Sequence, residues 1–126
     1  MKSYGYFSPL FLLVLAMLVG CGKPGRQVVL YTSVDSFIAE PIVRDFEKAS
    51  GIRVVMLGDT EASKSTGLMY KLIVEKSNPR CDVFWNSELV RTLILKSQGV
   101  LAPYVSPSAA DIPAEFRDKE GYWHAI

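Results

Sequence analysis

Polar side chains that could bind a small solute follow three separate apolar segments of the chain. Hydroxyl, carboxylate and amide groups donate or accept hydrogen bonds, and the carboxylates of Asp35, Asp59, Glu61 and Glu88 are also suitable oxygen ligands for a hard metal ion. The candidate ligand-binding residues are Thr32, Ser33 and Asp35 after the first segment, Thr60, Ser65 and Thr66 after the second, and Asn86 and Glu88 after the third. The same residue types are preferred at helix starts, so each one taken singly is also explained as a helix cap or a solvated loop residue.

Little in the sequence would support catalysis. His124 is the only histidine, no His/Cys cluster has zinc spacing, and there is no Gly-x-Ser-x-Gly nucleophile elbow. Gly58 followed by Ser63-Lys64-Ser65 departs from a phosphate-binding loop at its second glycine, which normally lets the backbone wrap the phosphates. Hydrolase and nucleotide-dependent chemistry therefore have little support, and we predict no enzyme, no catalytic residues and no cofactor.

The apolar pattern that must position the polar residues alternates between strands and helices. Gln27–Ser33, Ile52–Leu57 and Asp82–Trp85 are short β-prone runs without polar alternation, which is typical of strands buried on both faces. Apolar residues at helical spacing lie between and after these runs: Ile38, Ile42 and Phe46; Leu68/Leu72 and Met69/Ile73; Leu89/Leu93 and Val90/Ile94. Gly51 is predicted to end the first helix as its C′ residue.

This alternation predicts an α/β fold: a three-layer, open and mostly parallel sheet flanked by helices on both faces. In such a sheet, ligands bind outside the carboxyl ends of the strands, beside the N-termini of the following helices. The three polar loops therefore converge on one edge, where we predict a polar binding site. Leu101–Ile112 is predicted to be an irregular connection, and Tyr122–Ile126 to begin a further strand.

The N-terminus has the features of a removable leader. Lys2 precedes an uninterrupted apolar run, Leu10–Val19, which is typical of a signal peptide and shorter than a bilayer span. The run leads into Leu18-Val19-Gly20-Cys21, which resembles the lipobox of bacterial lipoproteins, and we expect Cys21 to be lipidated. Residues 1–20 are then the signal peptide, 21–26 the lipidated cysteine and spacer, and 27–126 the folded domain. Acyl chains would anchor the protein to a lipid bilayer, in the periplasm or at the cell surface.

The overall composition excludes several classes of protein. The 126 residues are 49% hydrophobic and 21% charged, with a formal net charge of +1, unlike a disordered chain or a basic nucleic-acid binder. We therefore expect no nucleic-acid partner. There are two cysteines. Because Cys21 is assigned to the lipid, a disulfide framework is excluded and Cys81 is expected to be a small buried residue.

Three segments resemble the extracellular solute-binding proteins of ABC importers, and most closely their iron(III)-type family. They are VVLYTS at 28–33, FEKASGIRV at 46–54 and CDVFWNSE at 81–88, in addition to the lipobox. The resemblance implies the type 2 periplasmic-binding fold, in which two α/β lobes close over a solute. Residues 27–126 would be the N-terminal lobe, and an incomplete one, because members of the family are longer.

The resemblance also implies a function and a set of ligands. A lipid-anchored binding component would capture a small solute, with ferric ion favoured, and deliver it to an ABC permease and its ATPase subunits. The family's ferric ligands are chiefly a tyrosine pair in the second lobe. In the first lobe, Asp35 stands near a family histidine, and Glu88 matches a family glutamate after a shift of one residue. The alternatives are a binding protein for a small anion such as a phosphonate, and a surface-anchored enzyme or sensor with the same fold.

Overall fold

A computed structural model describes residues 25–59 and 66–125, in which strands and helices alternate. The elements are β1 (Gln27–Thr32), α1 (Ser36–Ser50), β2 (Arg53–Gly58), α2 (Thr66–Val74), β3 (Val83–Trp85) and α3 (Leu89–Ser97). Single 3₁₀ turns lie at Glu75–Ser77, Pro107–Ala109 and Ala114–Phe116. The three strands and three helices predicted between residues 27 and 99 are confirmed in order.

The strands form a parallel sheet in the order β2-β1-β3, so that β1 lies in the centre. β1 pairs with β2 from Gln27 opposite Arg53 to Thr32 opposite Gly58, and its last three residues pair with β3. The chain passes from β1 to β2 on one side of it and then crosses over to β3 on the other side. Two right-handed crossovers of opposite direction place α1 and α2 on opposite faces of the sheet. The predicted α/β class, with helices on both faces of a parallel sheet, is confirmed.

The main hydrophobic core lies between the sheet and the pair α2 and α3. Tyr31 of β1 is buried there, and Val29 packs on the same face because residues two apart in a strand point the same way. The other buried members of this core are Leu68, Met69 and Leu72 from α2, and Leu95 from α3. The apolar stripe predicted for α2 therefore faces the core.

α3 buries only part of the apolar stripe that the sequence indicates, since Ile94 alone of that stripe packs against the core. Leu95 is completely buried. Leu89, Val90 and Leu93 are 50%, 68% and 44% exposed. Arg91 and Thr92 are less exposed than these three, because their side chains bond to residues that precede the helix. Hydrogen bonds at the start of α3, and not the apolar stripe, therefore orient its first turn.

α1 shows the predicted helical spacing, but its apolar stripe is half exposed. Ile38, Ile42 and Phe46 are 42%, 53% and 44% exposed, whereas Ala39 is fully buried. Gly51 ends the helix in the left-handed conformation with φ of 67°, and its amide donates to the carbonyl of Glu47. The predicted C′ role of Gly51 is confirmed, since a residue with a side chain would be strained at this φ.

Tyr31, Glu75 and Lys71 form a polar bracket between the central strand and the end of α2. The buried Tyr31 donates a hydrogen bond to Oε2 of Glu75 at 3.0 Å, and Nζ of Lys71 lies 2.7 Å from Oε1 of the same carboxylate. The Lys71 ammonium also lies 5.7 Å from the centre of the Tyr31 ring. The hydrogen bond from Lys71 lowers the pKa of Glu75, and burial raises the pKa of Tyr31. The bracket fixes α2 over β1.

The prediction that Tyr122–Ile126 begins a strand of the sheet is wrong for the residues described. This segment folds back and forms a single antiparallel bridge between Arg117 and His124. Gly121, with φ of 79°, turns the chain, and its amide donates to the carbonyl of Asp118. The Asp118 carboxylate also accepts a bond from the amide of Tyr122 at 3.0 Å. This local turn satisfies backbone groups that a sheet strand would have paired with β3 or its neighbours.

Lys96 fastens the turn at 118–122 to α3. Its Nζ lies 2.7 Å from Oδ1 of Asp118 and 2.6 Å from Oε2 of Glu120. The same ammonium lies 4.9 Å from the centre of the Tyr122 ring. The hydrogen bond from Lys96 lowers the pKa of Asp118. The connection predicted at Leu101–Ile112 is irregular apart from the turn at Pro107–Ala109, as expected.

Cys81 packs against the main core, as predicted. The residue is partly buried, and its thiol donates to the carbonyl of Val83 at 3.0 Å. Burial raises the pKa of this thiol. Cys81 therefore behaves as a small apolar residue and is a poor nucleophile at neutral pH.

The leader lies outside the described residues. Within 25–59 and 66–125, no helix is both long enough and apolar enough to cross a membrane. Leu10–Val19 and Cys21 fall in residues 1–24, so the lipidation of Cys21 stays a prediction. The predicted bounds 1–20, 21–26 and 27–126 stay predictions as well.

Replacing Tyr31 with Phe should test the polar bracket. We expect the free energy of unfolding to fall by about 1 kcal/mol, because the buried hydroxyl loses its bond to Glu75 while the ring keeps its packing. Urea denaturation of the intact protein measures the change. Tyr70→Phe is the matched control, since Tyr70 lies on α2, beside Lys71 of the bracket, and is 61% exposed. Its effect should stay within about 0.5 kcal/mol. Equal effects of the two substitutions would contradict a structural role for the bracket.

Candidate functional site

The carboxyl ends of the three strands are level with one another. Thr32, the last residue of β1, lies opposite Gly58 of β2 and Trp85 of β3. The ladder continues one residue further on each side: the amide of Ser33 donates to the carbonyl of Trp85, and the amide of Asp59 donates to the carbonyl of Thr32, both at 3.1 Å. The predicted convergence of the loops on one edge is therefore observed for the first and third loops and for the start of the second.

Thr32 is buried and its hydroxyl orients the first loop. It is 2% exposed, and its Oγ1 accepts a hydrogen bond from the amide of Val34 at 3.1 Å. This bond bends the chain away from the strand direction directly after β1. The hydroxyl therefore already has one partner within the loop, and Thr32 stays a prediction as a ligand contact.

Asn86 connects the first loop to the third loop and to α3. Its Oδ1 accepts bonds from the hydroxyl of Ser33 at 3.0 Å and from the amide of Glu88 at 3.1 Å. Its Nδ2 donates to the carbonyl of Glu88 and, at 3.2 Å, to the hydroxyl of Thr92. The structure thus brings together two of the predicted site residues, Ser33 and Asn86, and adds Thr92.

The two predicted metal ligands lie at the starts of different helices. Asp35 is the N-cap residue of α1 and Glu88 that of α3, and neither side chain makes a capping hydrogen bond. Oε2 of Glu88 instead accepts a bond from Nε of Arg91 at 3.0 Å. Both Asp35 and Glu88 are exposed. Among the residues that the structure describes, no three His, Cys, Asp or Glu side chains are grouped closely enough to hold a metal ion.

The second loop is described only at its two ends. Thr60 and Ser65 lie outside the described residues, together with most of the phosphate-loop-like segment. Thr66 is half-buried and begins α2. Oδ2 of Asp59 accepts a bond from the amide of Leu68 at 3.4 Å, so this carboxylate serves the start of α2. Thr60, Ser65 and Thr66 stay predictions as ligand contacts.

Sequence reasoning missed two residues at this edge, Arg91 and Thr92. Both lie within the first turn of α3, on the side that the apolar stripe does not cover. For Arg91 a signal was present, because residues three apart on a helix are neighbours and Glu88 precedes it by three. Thr92 carried no such signal, since its partner Asn86 lies before the helix.

A depression on the surface lies elsewhere, beside the turn at 118–122. Its lining includes Lys96, Arg117, Asp118, Lys119, Glu120 and Trp123. These residues come from the end of α3 and the segment after it, whereas the candidate site lies at the start of α3. The depression is open, and three of its charged side chains, Lys96, Asp118 and Glu120, already pair with one another. We therefore place the candidate site at the sheet edge.

Comparisons with known proteins agree with this geometry. No family model matches the chain. A curated protein of Sinorhizobium fredii, named "probable ABC transporter periplasmic-binding protein", is 33% identical over 78 residues, which is 61% of this chain and 20% of the relative. A ferric binding protein from Campylobacter jejuni superposes with a TM-score of 0.71 at 29% identity, over 79% of this chain and 30% of that structure. A Bordetella ferric binding protein gives a TM-score of 0.69 at 27% identity, over 79% and 31%.

The chain is therefore a relative of the periplasmic-binding proteins of ABC transporters. Its fold is that of part of the ferric-binding proteins, the type 2 periplasmic-binding fold, as the sequence motifs indicated. The chain spans about 20% of the length of its curated relative and about 30% of the solved structures.

Asn86→Ala should loosen the edge of the sheet. The substitution removes the bonds to Ser33, Glu88 and Thr92, and we expect a loss of about 2 kcal/mol in the free energy of unfolding. Hydrogen–deuterium exchange of the intact protein should rise in peptides covering 86–92. Ser87→Ala is the neighbouring control, because Ser87 is exposed, and it should leave that exchange unchanged. Unchanged exchange in Asn86→Ala would show that the hydrogen bonds do not hold the edge together.

Proposed function

We propose that this chain is part of the solute-binding component of an ABC importer, acting in the periplasm or at the cell surface by binding and not by catalysis. The relationship to an ABC-transporter periplasmic-binding protein supports this function. At the level of residues, the proposal is supported by the polar edge that Ser33, Asn86 and Glu88 form through hydrogen bonds. This edge lies at the carboxyl ends of the strands, where open α/β sheets bind ligands.

The proposed mechanism is capture followed by presentation. The polar edge forms one wall of a cleft, and a second lobe forms the opposite wall. Closure of the two lobes excludes water from the solute. The solute stabilises the closed form by the difference between its affinities for the closed and the open state. The permease and its ATPase subunits then receive the closed form. The bonds joining Ser33 to Asn86 keep this wall in one arrangement before the solute arrives.

Ferric ion is the favoured solute. The solved structures at 29% and 27% identity are both named as ferric binding proteins. Asp35 and Glu88 supply exposed carboxylates at the two helix starts, and carboxylate oxygens are suitable ligands for a hard cation. Further ligands would come from the second lobe. In this role the ion is cargo, and the protein needs no resident cofactor.

A small anion such as a phosphonate is the second candidate solute, and Arg91 favours it. Its guanidinium lies at the start of α3, within hydrogen-bond distance of Glu88. An arginine fork matches the oxygens of phosphate and carboxylate groups. The hydroxyl of Ser33 could bond to the same oxygens if it turns from Asn86.

Direct titration of the intact protein should test capture of a solute at this edge. We expect saturable, one-to-one binding of ferric citrate or of inorganic phosphate by isothermal titration calorimetry. Ser33→Ala should weaken that binding by about tenfold, because the half-buried hydroxyl of Ser33 can no longer make a hydrogen bond at this edge. Ser97→Ala, at the far end of α3, is the control and should bind as the natural protein does. Binding that neither substitution changes would place the solute elsewhere.

Membrane attachment is proposed to depend on Cys21. In cells fed labelled palmitate, we expect the label in the natural protein and its loss in Cys21→Ser, which should also move the protein from the membrane fraction to the soluble fraction. Acyl chains provide this attachment at about 0.8 kcal/mol for each buried methylene. Cys81→Ser is the matched control and should stay labelled and membrane-bound. Label that persists in Cys21→Ser would rule out lipidation at this residue.

A further inference from the structure

Basic residues are concentrated at the amino end of the sheet, opposite the proposed binding edge. The segments that lead into the three strands are 22–26, 48–53 and 76–81. They contain no Asp or Glu, and their six basic residues are Lys23, Arg26, Lys48, Arg53, Lys76 and Arg80. The loops that follow the strands have the opposite balance, with four acidic residues and one basic residue in 33–35, 59–65 and 86–88. Charge is therefore distributed unequally along the strand direction.

The structure brings the described parts of the basic segments to one end of the fold. α1 and α2 each return the chain to the start of the next strand, so both helices end at the amino end of the sheet. The amide of Arg53 donates to the carbonyl of Arg26 at 3.0 Å. Nζ of Lys76 donates to the carbonyl of Gln98 at 2.6 Å and joins the turn after α2 to the end of α3. The five described basic residues of these segments are all exposed: Arg26, Lys48, Arg53, Lys76 and Arg80.

The carboxylates next to these segments have partners within the fold. Oε1 of Glu47 accepts a hydrogen bond from the amide of Val54 at 2.6 Å. Oδ2 of Asp82 accepts one from the amide of Val29 at 2.8 Å. The side chain of Glu75 belongs to the polar bracket and is 14% exposed. These bonds hold the neighbouring acidic groups against the backbone and the core, and the ammonium and guanidinium groups remain at the surface.

The basic side chains are largely without acidic partners. Within the described part of the chain, Lys48 is the one of the five that forms an ion pair: its Nζ lies 3.6 Å from Oδ1 of Asp45. The two side chains of this pair are 77% and 80% exposed, and a pair so exposed to water is weak. The amino end of the sheet therefore presents positive charge to a partner.

The proposed lipidation site determines which end of the fold can approach a bilayer. Five residues separate Cys21 from Gln27, the first residue of β1. A fully extended chain spans at most about 20 Å over this distance. β1 is itself about 20 Å long. The amino end of the sheet therefore stays near the lipid headgroups, and the binding edge lies on the far side of the sheet.

We propose that the described basic residues of the amino end, the basic face, contact anionic phospholipid headgroups of the membrane that anchors the protein. The proposal rests on the proposed attachment at Cys21, because the short spacer keeps this face close to the bilayer. Each Lys or Arg near an anionic bilayer favours contact by about fivefold. The acyl chains then provide anchoring and the basic face provides orientation, which leaves the binding edge directed away from the lipid.

Fluorescence quenching by the lipid headgroups tests this orientation in the intact, acylated protein. A dye is attached either at Ser50→Cys, within the basic face, or at Ser87→Cys, at the binding edge; both serines are exposed. Cys81→Ala in both proteins removes the other thiol. The vesicles contain phosphatidylcholine and phosphatidylglycerol, with a nitroxide quencher on the headgroups. We expect about fivefold stronger quenching of the dye at residue 50 than of the dye at residue 87.

Charge variants identify the cause of the quenching. Arg53→Gln should shift the dye at residue 50 about fivefold toward its unquenched state, and Arg80→Gln should act likewise. Arg44→Gln is the matched control, because Arg44 lies on α1 outside the three segments and is 57% exposed, and it should change nothing. Added salt should reduce the quenching, since ions screen the attraction. Thermal melts followed by circular dichroism check that each variant is folded.

Two results would overturn the inference: equal quenching at the two dye positions, or equal quenching at residue 50 in vesicles of phosphatidylcholine alone. If the protein is not acylated, the proposed attachment fails, and sedimentation of Cys21→Ser with the same vesicles decides the inference separately. Phosphatidylglycerol should increase that sedimentation, and Arg53→Gln should reduce it. Sedimentation that is independent of the anionic lipid would show that the basic face does not bind it.

Discussion

The parallel pairing of β1 with both of its neighbours brings three strand ends to the same level, and the polar edge depends on that alignment. Thr32 lies opposite Gly58 on one side and Trp85 on the other. A shift of one residue in the pairing of β1 with β3 would turn every side chain of β3 to the other face and separate Ser33 from Asn86. The buried Tyr31, which precedes Thr32, holds this register through the core and through its bond to Glu75.

Two clusters of ion-paired side chains lie at opposite ends of α3. Glu88 and Arg91 lie at its start, at the binding edge. Lys96, near its end, binds Asp118 and Glu120 and lies over the Tyr122 ring. The second cluster satisfies its own charges and serves to fasten the following segment. The first makes one hydrogen bond between its side chains and is more exposed to solvent.

The sequence was sufficient for the order of elements because strong local signals coincide there. Val28–Tyr31 is apolar on both faces, Gly51 occupies a left-handed position, and the stripes of α2 face the core. It was not sufficient where tertiary hydrogen bonds compete with apolar spacing. The rotation of α3 follows the hydrogen bond between Asn86, which lies before the helix start, and Thr92, which lies after it. The apolar stripe carries no information about that bond.

The same competition explains the other differences. The β-prone residues Tyr122 and Trp123 predicted a strand, but the carboxylate of Asp118 and the left-handed Gly121 form a local turn instead. At the candidate site, composition indicated which residues are polar and topology indicated where they meet. The bond that the Thr32 hydroxyl accepts from the amide of Val34 is one that residue spacing does not encode.

In the proposed binding role, the four bonds of Asn86 also determine how selective this edge of the sheet is. Because they join the first loop, the third loop and α3, these parts lose little conformational freedom when a solute arrives, and most of that entropy is already spent in folding. A stiff wall does not deform to fit a solute whose oxygens are spaced an ångström too far apart. Selection by size and oxygen spacing then follows from rigidity, before any difference in charge is considered.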